Sequence, residues 1–216
     1  MFRDSIGKAI KLVRIYLLLC ALLAGLIGCA GRTEPPLNSE RIQDRFGSYG
    51  VRVLKQESPW RISCLYSREE PVDICRTVAV VRFAEGVPNA LQEPLRKVRD
   101  GASLGATLAA AGFRVSKSNV EFAALAADSP GYAGLLSLFD LPEPSKRPNL
   151  AAHVYDLHAS RDGLRIPVAR LFEVHHPDYL SPGDPERIYA GLPDSPEANS
   201  GRIDWLAELA TVTGQN

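Results

Sequence analysis

The sequence predicts one α+β domain behind a short amino-terminal leader, with an antiparallel or mixed sheet of about five or six strands packed against helices. Three observations carry this expectation. Residues 60–83 and 151–174 each contain two period-two runs, which read as antiparallel strand pairs because successive strand side chains point to opposite faces. Between them, residues 89–139 hold apolar residues at helical spacing, with helix stop signals. The order is strands, a helical block, a strand, more helix, a hairpin and a closing helix, which does not alternate as βαβ units do.

Taken in order, residues 38–46 suit a short helix, with Ile42 and Phe46 four apart and Gly47 as its stop. Residues 51–56 suit a strand. Trp60, Ile62, Cys64 and Tyr66 then alternate with Arg61, Ser63 and Ser67, and Cys75, Thr77, Ala79, Val81 and Phe83 alternate with Arg76 and Arg82. Setting Cys64 opposite Cys75 places Ile62 against Thr77 and Trp60 against Ala79, all on one face; a slip by two residues would keep the same faces. Residues 89–112 carry a stripe of Leu95, Val98, Ala102, Gly105 and Leu108, split at Gly101 and ended by Gly112. A strand follows from Phe113. Asn119 is placed to cap a helix through Ala127, and Ser129-Pro130 to start another reaching Phe139. Residues 141–149, with three prolines, form a loop.

Asp162-Gly163 between alternating runs is the signature of a two-residue hairpin turn. Centring the turn there sets Tyr155 against Arg170, inviting a cation–π contact, and His153 against Phe172. Asp156 and His158 share a face that reads as solvated. Residues 177–199 contain five prolines and form a long loop, and Ser200 is placed to cap a closing helix over residues 203–210. The expected core is Trp60, Ile62, Val81, Leu108, Val168, Phe172 and Leu206.

The first residues have a layout of their own. Arg3, Lys8, Lys11 and Arg14 make a basic region, and an uncharged apolar run extends from Ile15 to Gly28. That run is short of the roughly 20 residues a membrane-crossing helix needs, and basic, apolar and small residues in this order mark a secretory leader. Leu26-Ile27-Gly28-Cys29 resembles the lipobox of bacterial lipoproteins. The resemblance implies cleavage by signal peptidase II before Cys29, a diacylglycerol on that cysteine, acylation of the new amino terminus, and anchoring by several acyl chains such as palmitate. It divides the chain into a signal peptide at 1–28, a lipidated tether at 29–38 and a domain at 39–216 facing the periplasm or the outside. Ala30, where an aspartate retains such proteins in the inner membrane, favours the outer membrane.

Composition bounds the function. Loss of residues 1–28 changes the balance from 25 basic and 25 acidic residues to 21 and 24, a mildly acidic chain. With no basic stripe, nucleic acid is not an expected partner. Cys64 and Cys75 form an even pair in an oxidising compartment, which points to a disulfide.

The chemistry-bearing residues are few. Gly101-Ala-Ser103-Leu-Gly105 fits G-x-S-x-G, but that pattern marks a nucleophile only where an apolar strand leads into the turn, and Leu95–Asp100 is charged and helical in spacing. His175-His176-Pro177-Asp178 offers zinc-type ligands, yet adjacent strand residues point apart, so no metal site and no cofactor are expected. Tyr179, Leu180, Tyr189 and Leu192 lie in the proline-rich loop; they suit either a partner-binding surface or a loop tucked onto the domain's own core. The sequence thus predicts a lipid-anchored envelope protein of non-enzymatic binding or assembly character, with an envelope protein as a possible partner. The alternative is an envelope hydrolase using Ser103 or the His175/His176 region.

Overall fold

Residues 35–141 and 148–196 are described by a computed structural model. The leader, Cys29 and the closing helix with Leu206 lie outside the described residues. The strands are β1 (Gly50–Glu57), β2 (Trp60–Glu69), β3 (Val72–Phe83), β4 (Arg114–Leu125), β5 (Leu150–Arg161) and β6 (Leu164–His175). They form one antiparallel sheet in the order β1-β2-β3-β6-β5-β4. The helices are α1 (Asn38–Phe46), α2 (Asn89–Arg99), α3 (Leu104–Ala110), α4 (Tyr132–Leu138) and α5 (Asp184–Tyr189). The domain is α+β, as the sequence predicts. Among the described residues no helix is long and apolar enough to cross a membrane.

Both faces of the sheet are covered, not one as expected. On face one, Ile62, Cys64, Val78, Val80, Ala152, Val154, Phe172 and Val174 meet Tyr132, Leu135 and Leu136 of α4, with Phe139. On face two, Val81, Phe83, Tyr155, Leu157 and Leu171 meet Leu91, Leu95 and Val98 of α2 and Leu108 of α3. Beside them, Ile42 of α1 packs with Leu65, Ala79, Ala151, Tyr179 and Leu180. The helical block of residues 89–139 is therefore divided between two layers. Burying each such leucine contributes about 1.5–3 kcal/mol. Ile62, Val81, Leu108, Val168 and Phe172 are buried as expected, and Trp60 is half-buried against the face-one core.

Four strands carry an extra residue, and these bulges account for most of the departures from simple alternation. In the β2–β3 pair, Leu65 faces Thr77 and Tyr66 faces Cys75, so Arg76 is extra; Cys64 lies opposite Val78, Ile62 opposite Val80 and Trp60 opposite Arg82. Cys64 and Cys75 are thus diagonal neighbours, not opposite each other. Their Cα atoms are 5.7 Å apart, a disulfide-distance pair inside the face-one core. In the hairpin, the register centred on Asp162-Gly163 holds from Arg161↔Leu164 to His158↔Pro167. Val168 is then extra, and Leu157 faces Ala169. Beyond it Tyr155 lies opposite Leu171, His153 opposite Glu173 and Asp156 opposite Arg170. Arg170 accordingly makes a two-pronged ion pair with Asp156, at 2.6 and 2.9 Å, instead of a contact with the Tyr155 ring.

The helix expected from Asn119 to Ala127 is the second half of β4. Pairing with β5 from Arg114 to Leu125, with Val120 as the extra residue, overrides the helical preference of Ala123 and Ala124. The split at Gly101 is real: α2 ends at Arg99, Gly101 has φ 111°, and α3 starts at Leu104. The proline-rich loop contains the short helix α5, with Pro185 in its first turn, where the missing N–H has no helical role.

Candidate functional site

Face two differs from an ordinary core in what alternation delivers to it. β2 contributes Arg61 and Ser63, β4 contributes Lys117, β5 contributes Tyr155, and β6 contributes Glu173, all on the side that meets α1, α2 and α3. Together with Leu37, Asn38, Tyr49, Ser103 and the apolar Val81, Val98, Leu157 and Leu171, they line a cavity of about 70 Å³.

The electrostatics of this cavity are unusual. Lys117 is 5% exposed, and its Nζ has no hydrogen-bond partner among the described residues. It lies 4.3 Å from the centre of the Tyr155 ring and 4.9 Å from that of Tyr189, so two aromatic faces supply its nearest electron density. Burial pushes the amine's pKa down, with Glu173 opposing that shift. Glu173 is 2% exposed; its Oε1 accepts the Tyr155 hydroxyl at 3.0 Å, and its Oε2 has no described partner. Arg61 donates Nη1 to the carbonyls of Val98 and Ala102, at 2.6 and 2.9 Å, which ties β2 to the α2–α3 turn and leaves Nε without a described partner. Buried polar atoms without partners are rare and each costs about 1–3 kcal/mol, more when charged. The three residues that carry these atoms all line the one cavity.

Ser103 lines the same cavity. It stands immediately before α3, its hydroxyl makes no capping bond, and its Oγ accepts the Tyr49 hydroxyl at 3.2 Å. Burial raises the Tyr49 pKa, the bond to Ser103 acting in the other direction, so this phenol is protonated at neutral pH and cannot serve as a base.

The histidines are structural in their contacts. His153 stacks between Phe122 and Tyr189, each ring centre 4.6 Å away, and donates Nε2–H to Asn119 Oδ1 at 3.0 Å. Asn119, expected to cap a helix, instead holds the loop by donating to the carbonyls of Tyr189 and Leu192. Asn38 donates to Thr77 Oγ1 at 3.1 Å, and the Thr77 hydroxyl is hydrogen-bonded to His175 Nδ1 at 3.0 Å. Burial pulls the pKa of His153 to about 2 and that of His175 to about 3, Lys117 adding to both. As the sequence predicts, His175 and His176 diverge: one ring meets Tyr179 and the other meets Phe139. Among the described residues no group of three His, Cys, Asp or Glu is placed to hold a metal ion.

Tyr179, Leu180, Tyr189 and Leu192 are all buried, which selects the second of their two readings. Tyr179 donates its hydroxyl to Asn38 Oδ1 at 2.6 Å and joins the α1 cluster, while Tyr189 covers His153. They fasten the loop to face two. Sequence reasoning passed over Arg61 and Glu173 because alternation set them on the side opposite the apolar face, and passed over Lys117 because it lay beyond the short strand read from Phe113. The available signal was Glu173 within Leu171-Phe172-Glu173-Val174, a carboxylate set in an otherwise apolar strand.

No family model matches this chain, and no curated protein matches it.

Proposed function

We propose that this chain is a lipid-anchored cell-envelope protein, held by Cys29 in the outer membrane, whose domain binds a small molecule in the cavity of face two without transforming it. The single observation that carries the binding reading is that Lys117 and Glu173, each with a buried charged-group atom that has no described partner, line the same cavity. A ligand that supplied their missing partners would recover the desolvation those groups lose on folding. The anchoring reading is supported by the order of basic region, apolar run and Leu26-Ile27-Gly28-Cys29. It is also supported by the Cys64–Cys75 pair, since disulfides persist in oxidising compartments. An envelope protein that receives or delivers the ligand is the corresponding partner. The hydrolase alternative is less supported, because the group bonded to Ser103 is a protonated phenol and not a base.

The test is native mass spectrometry of the full chain extracted from membranes in detergent. The expected spectrum shows the mass of a lipidated Cys29 species and a small co-purifying ligand that is lost in Lys117→Met. Fatty-acid label persisting in Cys29→Ser would refute the anchor, and a ligand-free wild-type spectrum would refute the binding reading.

A further inference from the structure

Lys117 lacks what ordinarily holds a buried cation. A buried ammonium is met by a carboxylate or by carbonyl groups, because its desolvation has to be offset. Lys117 comes from β4, is 5% exposed, and its Nζ has no hydrogen-bond partner among the described residues. Two rings flank Nζ instead, that of Tyr155 on β5 at 4.3 Å and that of Tyr189 on α5 at 4.9 Å. Ring faces recover less than burial of a charge costs. Glu173 is near enough to favour the charged form, yet its described bond goes to the Tyr155 hydroxyl, at 3.0 Å. Burial outweighs it and favours the neutral amine.

A neutral amine carries a lone pair, and a desolvated lysine is a nucleophile toward carbonyl carbon. Lys117, Tyr155 and Glu173 line the cavity together with the apolar Val81, Leu157 and Leu171. A carbonyl compound bearing its own carboxylate would bring a second negative charge toward Glu173, and like charges in a dry site repel strongly. An uncharged one meets no such penalty and suits the apolar wall.

We infer that Lys117 captures an uncharged aldehyde or ketone as a reversible imine. This rests on the small-molecule reading of the cavity. The Nζ lone pair bonds to the carbonyl carbon as the C=O π pair moves to oxygen, and one N–H proton passes to that oxygen. The C–O bond of the resulting carbinolamine then breaks. Oxygen leaves as water with the second N–H proton, and C=N remains. Addition of water reverses both steps and returns the carbonyl compound unchanged, so capture is binding and not turnover.

Reductive trapping on the full chain in detergent tests the inference. Propanal at limiting concentration is added with cyanoborohydride, which delivers hydride to the imine carbon and leaves a stable secondary amine; peptide mass mapping then locates the propyl group. The exposed Lys97 and the partly exposed Lys55 are internal references. At pH 7 Lys117 is expected to be propylated about tenfold or more faster than either, since more of it is neutral. Glyoxylate, an aldehyde that carries a carboxylate, should lose this preference, and Glu173→Gln should restore it. Propanal labelling of the same variant at Lys117 shows that its cavity is intact. Propylation of Lys117 no faster than of Lys55 and Lys97 would overturn the imine site, and the native mass spectrum then decides separately whether a noncovalent ligand remains. Glyoxylate trapped with the same preference as propanal in the wild type would overturn the assignment to uncharged carbonyl compounds.

Discussion

The two faces of this sheet are made by the same strands and end up with opposite characters. Face one is apolar at its centre and contains the Cys64–Cys75 pair. Face two buries Arg61, Ser63, Thr77, Lys117, His153, Glu173 and His175 among its apolar residues. Among the described residues, the buried side-chain atoms without partners include Lys117 Nζ, Glu173 Oε2, Arg61 Nε, His153 Nδ1 and His175 Nε2 on face two, against Ser118 Oγ on the other. A chain with one sheet and two helical layers can thus assign stability to one layer and recognition to the other, since sites built for ligands are often less stable than the same volume filled with hydrocarbon.

Mutations that break this contrast should differ in sign as well as size. The largest loss is expected from Leu135→Ala on face one, where the side chain is fully buried: about 2–5 kcal/mol, read as a drop in denaturant midpoint at unchanged slope. A loss nearer zero would show that α4 contributes little to the face-one core. Next is Cys64→Ala together with Cys75→Ala. Opening a loop closed across 11 residues should cost about 2–3 kcal/mol, and thiol titration of the unreduced wild type should find neither cysteine free.

Acid should act on face two. The unfolded chain protonates its imidazoles near pH 6.5, whereas the folded chain keeps His175 neutral to about 3 and His153 to about 2. Their contribution is therefore complete above about pH 6.5 and falls as pH drops below it, by up to about 1.4 kcal/mol per pH unit for each histidine. Melting curves between pH 7 and pH 5 should show the decline, and His153→Gln should flatten it; an unchanged slope would remove His153 from the account. The smallest effect is expected from Lys117→Met. Exchanging an unpartnered buried amine for a thioether of similar length should leave the melting temperature of the ligand-free protein unchanged or slightly raised. A loss of several degrees would mean that the amine holds the fold together.

The sequence made the elements legible better than it made the faces legible. Gly47, Gly101, Gly112 and Asp162-Gly163 marked breaks that the structure keeps, because a positive φ at these positions favours those residue types whatever lies around them. The register failed at Arg76 and Val168, and the reason is physical. A bulge is a choice made by two strands together and leaves no mark in the alternation of either one. The miss on function had another source: only one covered face was expected, so Glu173, on the side opposite Phe172 and Val174, was assigned to solvent and the cavity could not be seen. The Asn119–Ala127 segment failed for a related reason, since an alanine-containing run is a good helix until a partner strand offers a full ladder of hydrogen bonds.

Val168 has a further consequence. From Ala169 to His175, β6 is in effect read in a shifted frame relative to the part of the strand next to the turn. Deleting Val168 itself would remove the bulge and leave the pairs from Leu157↔Ala169 to Ala152↔Val174 as they are. Glu173 would still face the cavity, and Phe172 and Val174 the α4 side. Residues added at the tip beyond Arg161 and Leu164 likewise only lengthen the turn. Val168 is therefore a second place, inside the ladder, where this hairpin should accept a change of length without any other residue changing layers.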